Sequence, residues 1–313
     1  TLITAQQTGG NAVFVGSLTV TDSDGSGTTY TQDKTANIVV NPGNVLKLLM
    51  LVPGTTHYPG YVAVDGSQGT PDVQFAGVPF NVSVRGVDGY WNKVSTATSI
   101  TFTVENGANA SFAPGTQPLA GGEAIWSSMI LKTAKSSPGW QMTATAGVLS
   151  NPTTSIYMIV NPSSATKLLM LLPTETYDPG TATGKAGSIS NALTTDSTFT
   201  VTVMATDNNW NIVTTTNPTV QVVTSDIYDS TPSAFSLSQG SATVQVNMHT
   251  AGRWTLTAST TAGPSVLPYT SPSVDIGTGS PVRLQILVSP EIALPGSPTG
   301  KTSVEISTQL AGT

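Results

Sequence analysis

The stretch Phe80-Asn81-Val82-Ser83-Val84-Arg85 puts an apolar side chain at every second position, and Phe199-Thr200-Val201-Thr202-Val203-Met204 does the same 119 residues on. Successive side chains of a strand point to opposite faces, so this period of two predicts an extended segment with one buried and one wet face. Ile100, Phe102 and Val104 continue the pattern, as do Trp140, Met142 and Ala144. Val and Thr dominate these runs, and β-branched side chains suit a pleated surface. Turn-forming residues separate them: Val87-Asp88-Gly89, Glu105-Asn106-Gly107, Ser137-Pro138-Gly139 and Ala251-Gly252. No segment carries the 3.6-residue period of a helix.

Outward from these strands the chain repeats itself. Asn41-Pro42 to Val52 (NPGNVLKLLMLV) returns as Asn161-Pro162 to Leu172 (NPSSATKLLMLL), with Lys47 and Met50 matched by Lys167 and Met170. Pro59-Gly60 returns as Pro179-Gly180, and Asp88, Trp91 and Asn92 return as Asp207, Trp210 and Asn211. A third, degenerate copy opens at Pro281 (PVRLQILVSP). A fixed period makes each copy a module. The expected fold class is all-β: roughly seven short strands per module, hence tandem immunoglobulin-like β-sandwiches joined end to end. The expected division is the C-terminal part of a preceding module at 1–40, full modules at 41–160 and 161–280, and the N-terminal part of a third at 281–313. Partial modules at both ends predict a window on a longer array. Pairing of the two partial modules between chains is the alternative.

Charged residues make up 9% of the chain, against about 25% in an ordinary soluble domain. Thr, Ser, Asn, Gln and Gly carry the polar surface instead, a composition that points outside the cell. A net charge of −6 offers no basic face for a nucleic-acid partner. There is no cysteine, hence no disulfide or thiolate metal site. No apolar run approaches the ~18 residues of a membrane helix, and TLITAQQTGG lacks the features of a signal peptide.

Ala76-Gly77-Val78-Pro79-Phe80-Asn81-Val82-Ser83-Val84, followed by Asp88-Gly89-Tyr90-Trp91-Asn92-Lys93-Val94, resembles the opening of bacterial Ig-like repeats of the invasin/intimin type. Ile100-Thr101-Phe102-Thr103-Val104 and Trp140-Gln141-Met142-Thr143-Ala144 fill the later strands of that pattern, and the second module follows suit. Trp91 stands where those repeats often carry Gly, and the module is longer than theirs. The resemblance implies a tandem stalk on a cell surface, with no particular ligand.

The most regular polar pairs are Asp88/Asn92 and Asp207/Asn211. Two oxygen-bearing side chains at a turn could help hold Ca²⁺ between modules, or could cap the turn by accepting backbone N–H groups. Capping is the expected role, because calcium needs six or more oxygens. No other cofactor is implied. Asp22-Ser23-Asp24-Gly25-Ser26-Gly27 has the look of half a calcium loop but is better read as a hairpin. Tyr90, Trp91 and Trp210 could stack on a sugar or pack between modules; closing their own core is the plainer role. Trp140 and Trp254 are expected in the core, and Lys47 and Lys167 as exposed lysines on a first strand. A Lys–Asn isopeptide bond at Lys47 and Lys167 is the sharper alternative, and Arg283, which cannot form it, fills the third copy. Gly296 to Thr302 (GSPTGKT) has the wrong spacing for a phosphate loop.

Catalysis finds no constellation. His57 and His249 are not equivalent, Tyr177 standing where His57 would recur, and acids such as Glu123, Glu175, Asp226 and Asp229 are scattered. The expectation is a non-enzymatic extracellular protein: a segment of a long array forming a cell-surface stalk, filament, sheath or surface layer. Its partners would be neighbouring modules of the same chain, with lateral self-assembly through edge strands. An adhesin whose loops bind glycan or host protein is the alternative.

Overall fold

The computed structural model describes residues 38–60, 65–147, 153–189, 193–195 and 197–305, with strand segments Gln7–Thr8, Asn11–Ala12, Phe14–Gly16, Thr19–Val20 and Asp33–Lys34 before them. Every regular element among them is a β-strand. The candidate hairpin at 22–27 lies outside the described residues, as does most of 1–40. The chain divides into two compact units, Thr1–Asn161 and Pro162–Thr313.

In the first unit, five strands hydrogen-bond in the order Gln74–Phe75, Thr153–Asn161, Lys135–Thr145, Ser99–Val104, Thr116–Pro118. Three more run Glu123–Met129, Phe80–Val87, Lys47–Leu51. Val82 and Val84 of the second sheet and Ile100, Phe102, Met142 and Ala144 of the first share one core, where alternation has sorted apolar side chains inward. Trp126 and Phe102 stack at its centre, their ring centroids 4.7 Å apart. Trp126 Nε1 donates to the Pro114 carbonyl at 2.7 Å, so the indole is buried without stranding its N–H.

The second unit builds the same layers. Phe235–Ser236, Thr219–Thr224, Leu256–Ala262 and Tyr269–Thr270 form one sheet; Lys167–Leu171, Thr198–Thr206 and Ser241–Asn247 form the other. Val201, Val203, Val220, Val222 and Ala258 meet in its core. Registers repeat: Lys47 lies opposite Val87 and Leu51 opposite Ser83, just as Lys167 lies opposite Thr206 and Leu171 opposite Thr202.

The KLLML strands break the alternation, and the structure shows why. Leu48 and Met50 enter the main core, while Leu49 and Leu51 enter a second, smaller cluster on the opposite face of the sheet. Leu168 and Met170 divide from Leu169 and Leu171 in the same way. A strand buried on both faces reads as a continuous apolar run.

Candidate functional site

The second cluster exists because of the five-residue turn that follows the Phe80–Val87 strand. Asp88 N–H donates to the Asn92 carbonyl (3.0 Å) and Trp91 N–H to the Asp88 carbonyl (3.1 Å); Asp207, Trp210 and Asn211 make the same two bonds at the same lengths. Trp91 and Trp210 adopt φ of 67° and 68°, a backbone region costly for a bulky residue. That conformation folds each indole back over Leu49 and Leu51, or over Leu169 and Leu171. Burial of two leucines contributes roughly 1.5–3 kcal/mol each, enough to hold the strained turn.

The aspartate secures it. Asp88 Oδ1 accepts from the N–H groups of Tyr90 and Asn92, both at 2.9 Å, and Oδ2 accepts from Gly43 N–H at 2.9 Å. The Asn92 amide donates to both oxygens. Asp207 repeats every contact, with Asn209, Asn211 and Ser163 as the backbone donors. Asp207 is 0% exposed. Each buried carboxylate is thus surrounded by N–H donors, which offset its desolvation, and through Gly43 or Ser163 it ties the entry segment to the body of its unit. The residues raised as calcium ligands do meet, and the oxygens of Asp88 and Asp207 face hydrogen-bond donors. Among the described residues no group of three or more His, Cys, Asp or Glu could hold a metal ion.

Each indole is closely packed by neighbours outside its own turn. Gly66 lies so close to Trp91 that an added Cβ would come within 2.4 Å of the ring, and Gly184 stands equally close to Trp210. Lys47 Nζ lies 4.1 Å from the Trp91 ring centroid and Lys167 Nζ 3.3 Å from that of Trp210. Each ammonium also donates to a turn carbonyl, Gly89 at 3.2 Å or Asn208 at 2.9 Å. These lysines cap indoles rather than extending freely as the sequence suggests, and burial lowers the pKa of Lys167. Tyr90 is the open member of the aromatic set, 46% exposed.

His57 and Tyr177 share one task. His57 Nε2 lies 2.6 Å from the Trp91 carbonyl, and the Tyr177 hydroxyl donates to the Trp210 carbonyl at 2.7 Å. The imidazole is assigned as the neutral Nε2–H tautomer, because its Nδ1 lies 3.0 Å from the Arg85 guanidinium, which only donates. Burial is the main cause holding the His57 pKa below 6.5, and the Arg85 charge adds to it. Burial likewise pushes the Tyr177 phenol up to about 12.

A second repeated device closes the loop beside the turn. Lys185 pairs with Glu175 at 2.7 Å, both side chains under 10% exposed, and Glu175 accepts the Leu172 N–H. Lys301 pairs with Glu291 at 2.7 Å, and Glu291 accepts the Val288 N–H. Gly300 N–H donates to Ser297 Oγ at 3.1 Å, as Gly184 N–H donates to Thr181 Oγ1. The GSPTGKT loop is therefore the counterpart of the 181–185 loop, its lysine engaged by a carboxylate.

No family model matches the chain, and no curated protein matches it in sequence. Among solved structures it is similar to the Escherichia coli adhesin FdeC, with 13% identity, a TM-score of 0.29 and coverage of 84% of this chain and 74% of that one. It is also similar to domains 5–6 of the S-layer protein SbsC (16% identity, TM-score 0.24, 67% and 95% coverage). A third is a Bacteroides vulgatus β-glycosidase (10% identity, TM-score 0.28), where 74% of this chain spans only 25% of that one. At such scores these likenesses carry no functional argument; the all-β architecture stands on the sheets themselves.

Proposed function

We propose that the chain is a segment of an extracellular array of immunoglobulin-like modules, with full modules at 41–160 and 161–280 and parts of two others at 1–40 and 281–313. Its role is structural, as a stalk, filament, sheath or surface layer on a cell. The observation that carries this reading is the duplicated clamp. Asp88 and Asp207 each spend a carboxylate oxygen on the backbone of their own unit's entry segment, Gly43 or Ser163, and the recurrence of this device at one module's spacing supports a string of like modules. Proline at each entry restricts the link further. Catalysis has no part in this reading, and neighbouring modules and laterally paired copies are the partners.

Electron microscopy of the native material tests it. A periodic filament, sheath or lattice, or a stalk of evenly spaced modules, with this chain in the repeating part is the expected result, and this chain lying in a distinct tip would overturn it. That second outcome would favour an adhesin, a reading supported by Tyr58 and Tyr90. Both are 46% exposed in adjoining loops of the first unit, joined by the Gly60 N–H to Tyr90 carbonyl bond, where the second unit carries Asp178 and Asn209.

A further inference from the structure

The third copy of the repeat lies within the second unit, and its loop half is built as in the first two copies. Leu294 N–H donates to the Gly300 carbonyl at 2.7 Å, as Tyr58 does to Gly66 and Asp178 to Gly184. Ala293 bridges to Lys301 as Tyr177 pairs with Lys185. Gly300 has φ of 72°, beside 71° at Gly66 and 73° at Gly184. The strand half differs. Arg283-Leu284-Gln285-Ile286-Leu287 aligns with KLLML, yet it joins no sheet among the described residues. Leu284 is 99% exposed and Ile286 79%, whereas Leu48, Met50, Leu168 and Met170 at the same positions are buried. On the other face, a Cβ added to Gly300 would lie 2.8 Å from Gln285 Nε2, where Gly66 and Gly184 meet an indole.

The first two copies show what such a strand takes. Lys47–Leu51 pairs antiparallel with residues 83–87, and Lys167–Leu171 with residues 202–206. In each, an Asp-x-x-Trp-Asn turn follows at once and lays its indole against the glycine and the lysine. We infer that residues 283–287 are an acceptor edge for one more segment of this kind, entering from outside the described residues; the inference rests on the modular reading above. The occupant is an antiparallel strand with apolar side chains at alternate positions, followed by Asp-x-x-Trp-Asn. An unpaired edge offers its N–H and C=O groups to such a strand, and alternate side chains give the specificity. In the shared register the incoming valine lies beside Ile286, as Val84 lies opposite Met50. Gly300 and Arg283 receive the indole, because a guanidinium stacks on an aromatic face as an ammonium does. A second copy of residues 283–287 would answer only half of this: it pairs the edge but brings no tryptophan to Gly300.

The test uses the whole chain and a labelled synthetic peptide of residues 79–94, followed by fluorescence anisotropy, with hydrogen exchange to locate the contact. Saturable binding of one peptide per chain is expected, with amide protection gained over residues 283–287. Leu284→Asp with Ile286→Asp in the chain should abolish it. Both side chains are exposed, so an unchanged melting temperature keeps the comparison clean. Trp91→Ala in the peptide should weaken binding about tenfold. Tyr90→Ala, which removes the exposed ring of the turn, should change it by less than about twofold. Absence of saturable binding, binding that survives the two aspartates, or equal binding of the Trp91→Ala peptide would overturn the inference. So would self-association of the chain alone that the aspartates disperse, since that would give the edge to a second copy. Electron microscopy judges the array separately. An array without peptide binding removes only this inference, and peptide binding without an array upholds it while removing the array.

Discussion

At the residue scale the clamp aspartates carry the largest consequences. An oxygen of Asp207 replaced by an amide would set N–H against N–H inside a site with no water-exposed surface. Asp207→Asn should therefore cost the second unit about 3 kcal/mol, by the penalty for charge-assisted bonds lost and donors left buried. Denaturant unfolding followed by tryptophan fluorescence, with only the second unit's transition expected to move, would measure it. If the clamp serves the turn rather than a cation, calcium or a chelator should leave the wild-type midpoint unmoved; a chelator-induced drop would restore the cation reading. The histidine makes a prediction of opposite chemistry. The folded pKa of His57 lies below 6.5, chiefly through burial, so the unfolded chain takes up the proton first. The first unit should keep this stability above pH 6.5 and lose it as pH falls through the depressed value. His57→Tyr, which installs the hydroxyl that Tyr177 already uses, should flatten that acid limb. For Tyr177 the sign reverses: its phenol, raised to about 12, should cost the second unit stability as pH climbs from 10 towards 12. Thermal melts at stepped pH on the wild type and the His57→Tyr variant would resolve both limbs.

At the element scale the KLLML strand shows what could and could not be seen in the sequence. The alternating strands were legible, because one buried face imposes a period of two and the registers of Phe80–Val87 and Thr198–Thr206 follow it. The turn was legible as a turn, since Asp and Asn accept nearby N–H groups by habit. What covers the outer face of the KLLML strand was not. It depends on a tryptophan in a positive-φ conformation, on a glycine distant in sequence, and on a lysine over the ring, and none of these leaves a local pattern. The kinship of His57 and Tyr177 was hidden for a related reason: their common partner is a backbone carbonyl, which selects a donor rather than a residue type. The glycine is the sharpest point of this assembly. Gly184 has φ of +73° and the Trp210 ring at 2.4 Å from its would-be Cβ, so Ala there meets both backbone strain and a clash. Gly184→Ala should lower stability by about 2–3 kcal/mol and shift Trp210 emission to the red as the indole is pushed outward. An unshifted spectrum would show that the turn yields without exposing the ring.

At the scale of the whole molecule, the two units have separate cores and separate outer clusters, so each should unfold as its own cooperative body. Pulling the chain from its ends separates the consequences of the clamp from those of the core. Two unfolding events are expected, each releasing roughly 400 Å of chain at the ~3.4 Å per residue of an extended backbone. In Asp207→Asn one event should move to lower force while the other keeps its wild-type value, because the altered carboxylate touches only residues of Pro162–Thr313. Asp88→Asn should weaken the other event instead. In the proposed array this independence would let a module that yields leave its neighbour folded, so that the chain lengthens before it breaks. If a single clamp substitution lowered both forces together, the units would be coupled under load. The proposed array would then respond as one body rather than as a series of separable modules.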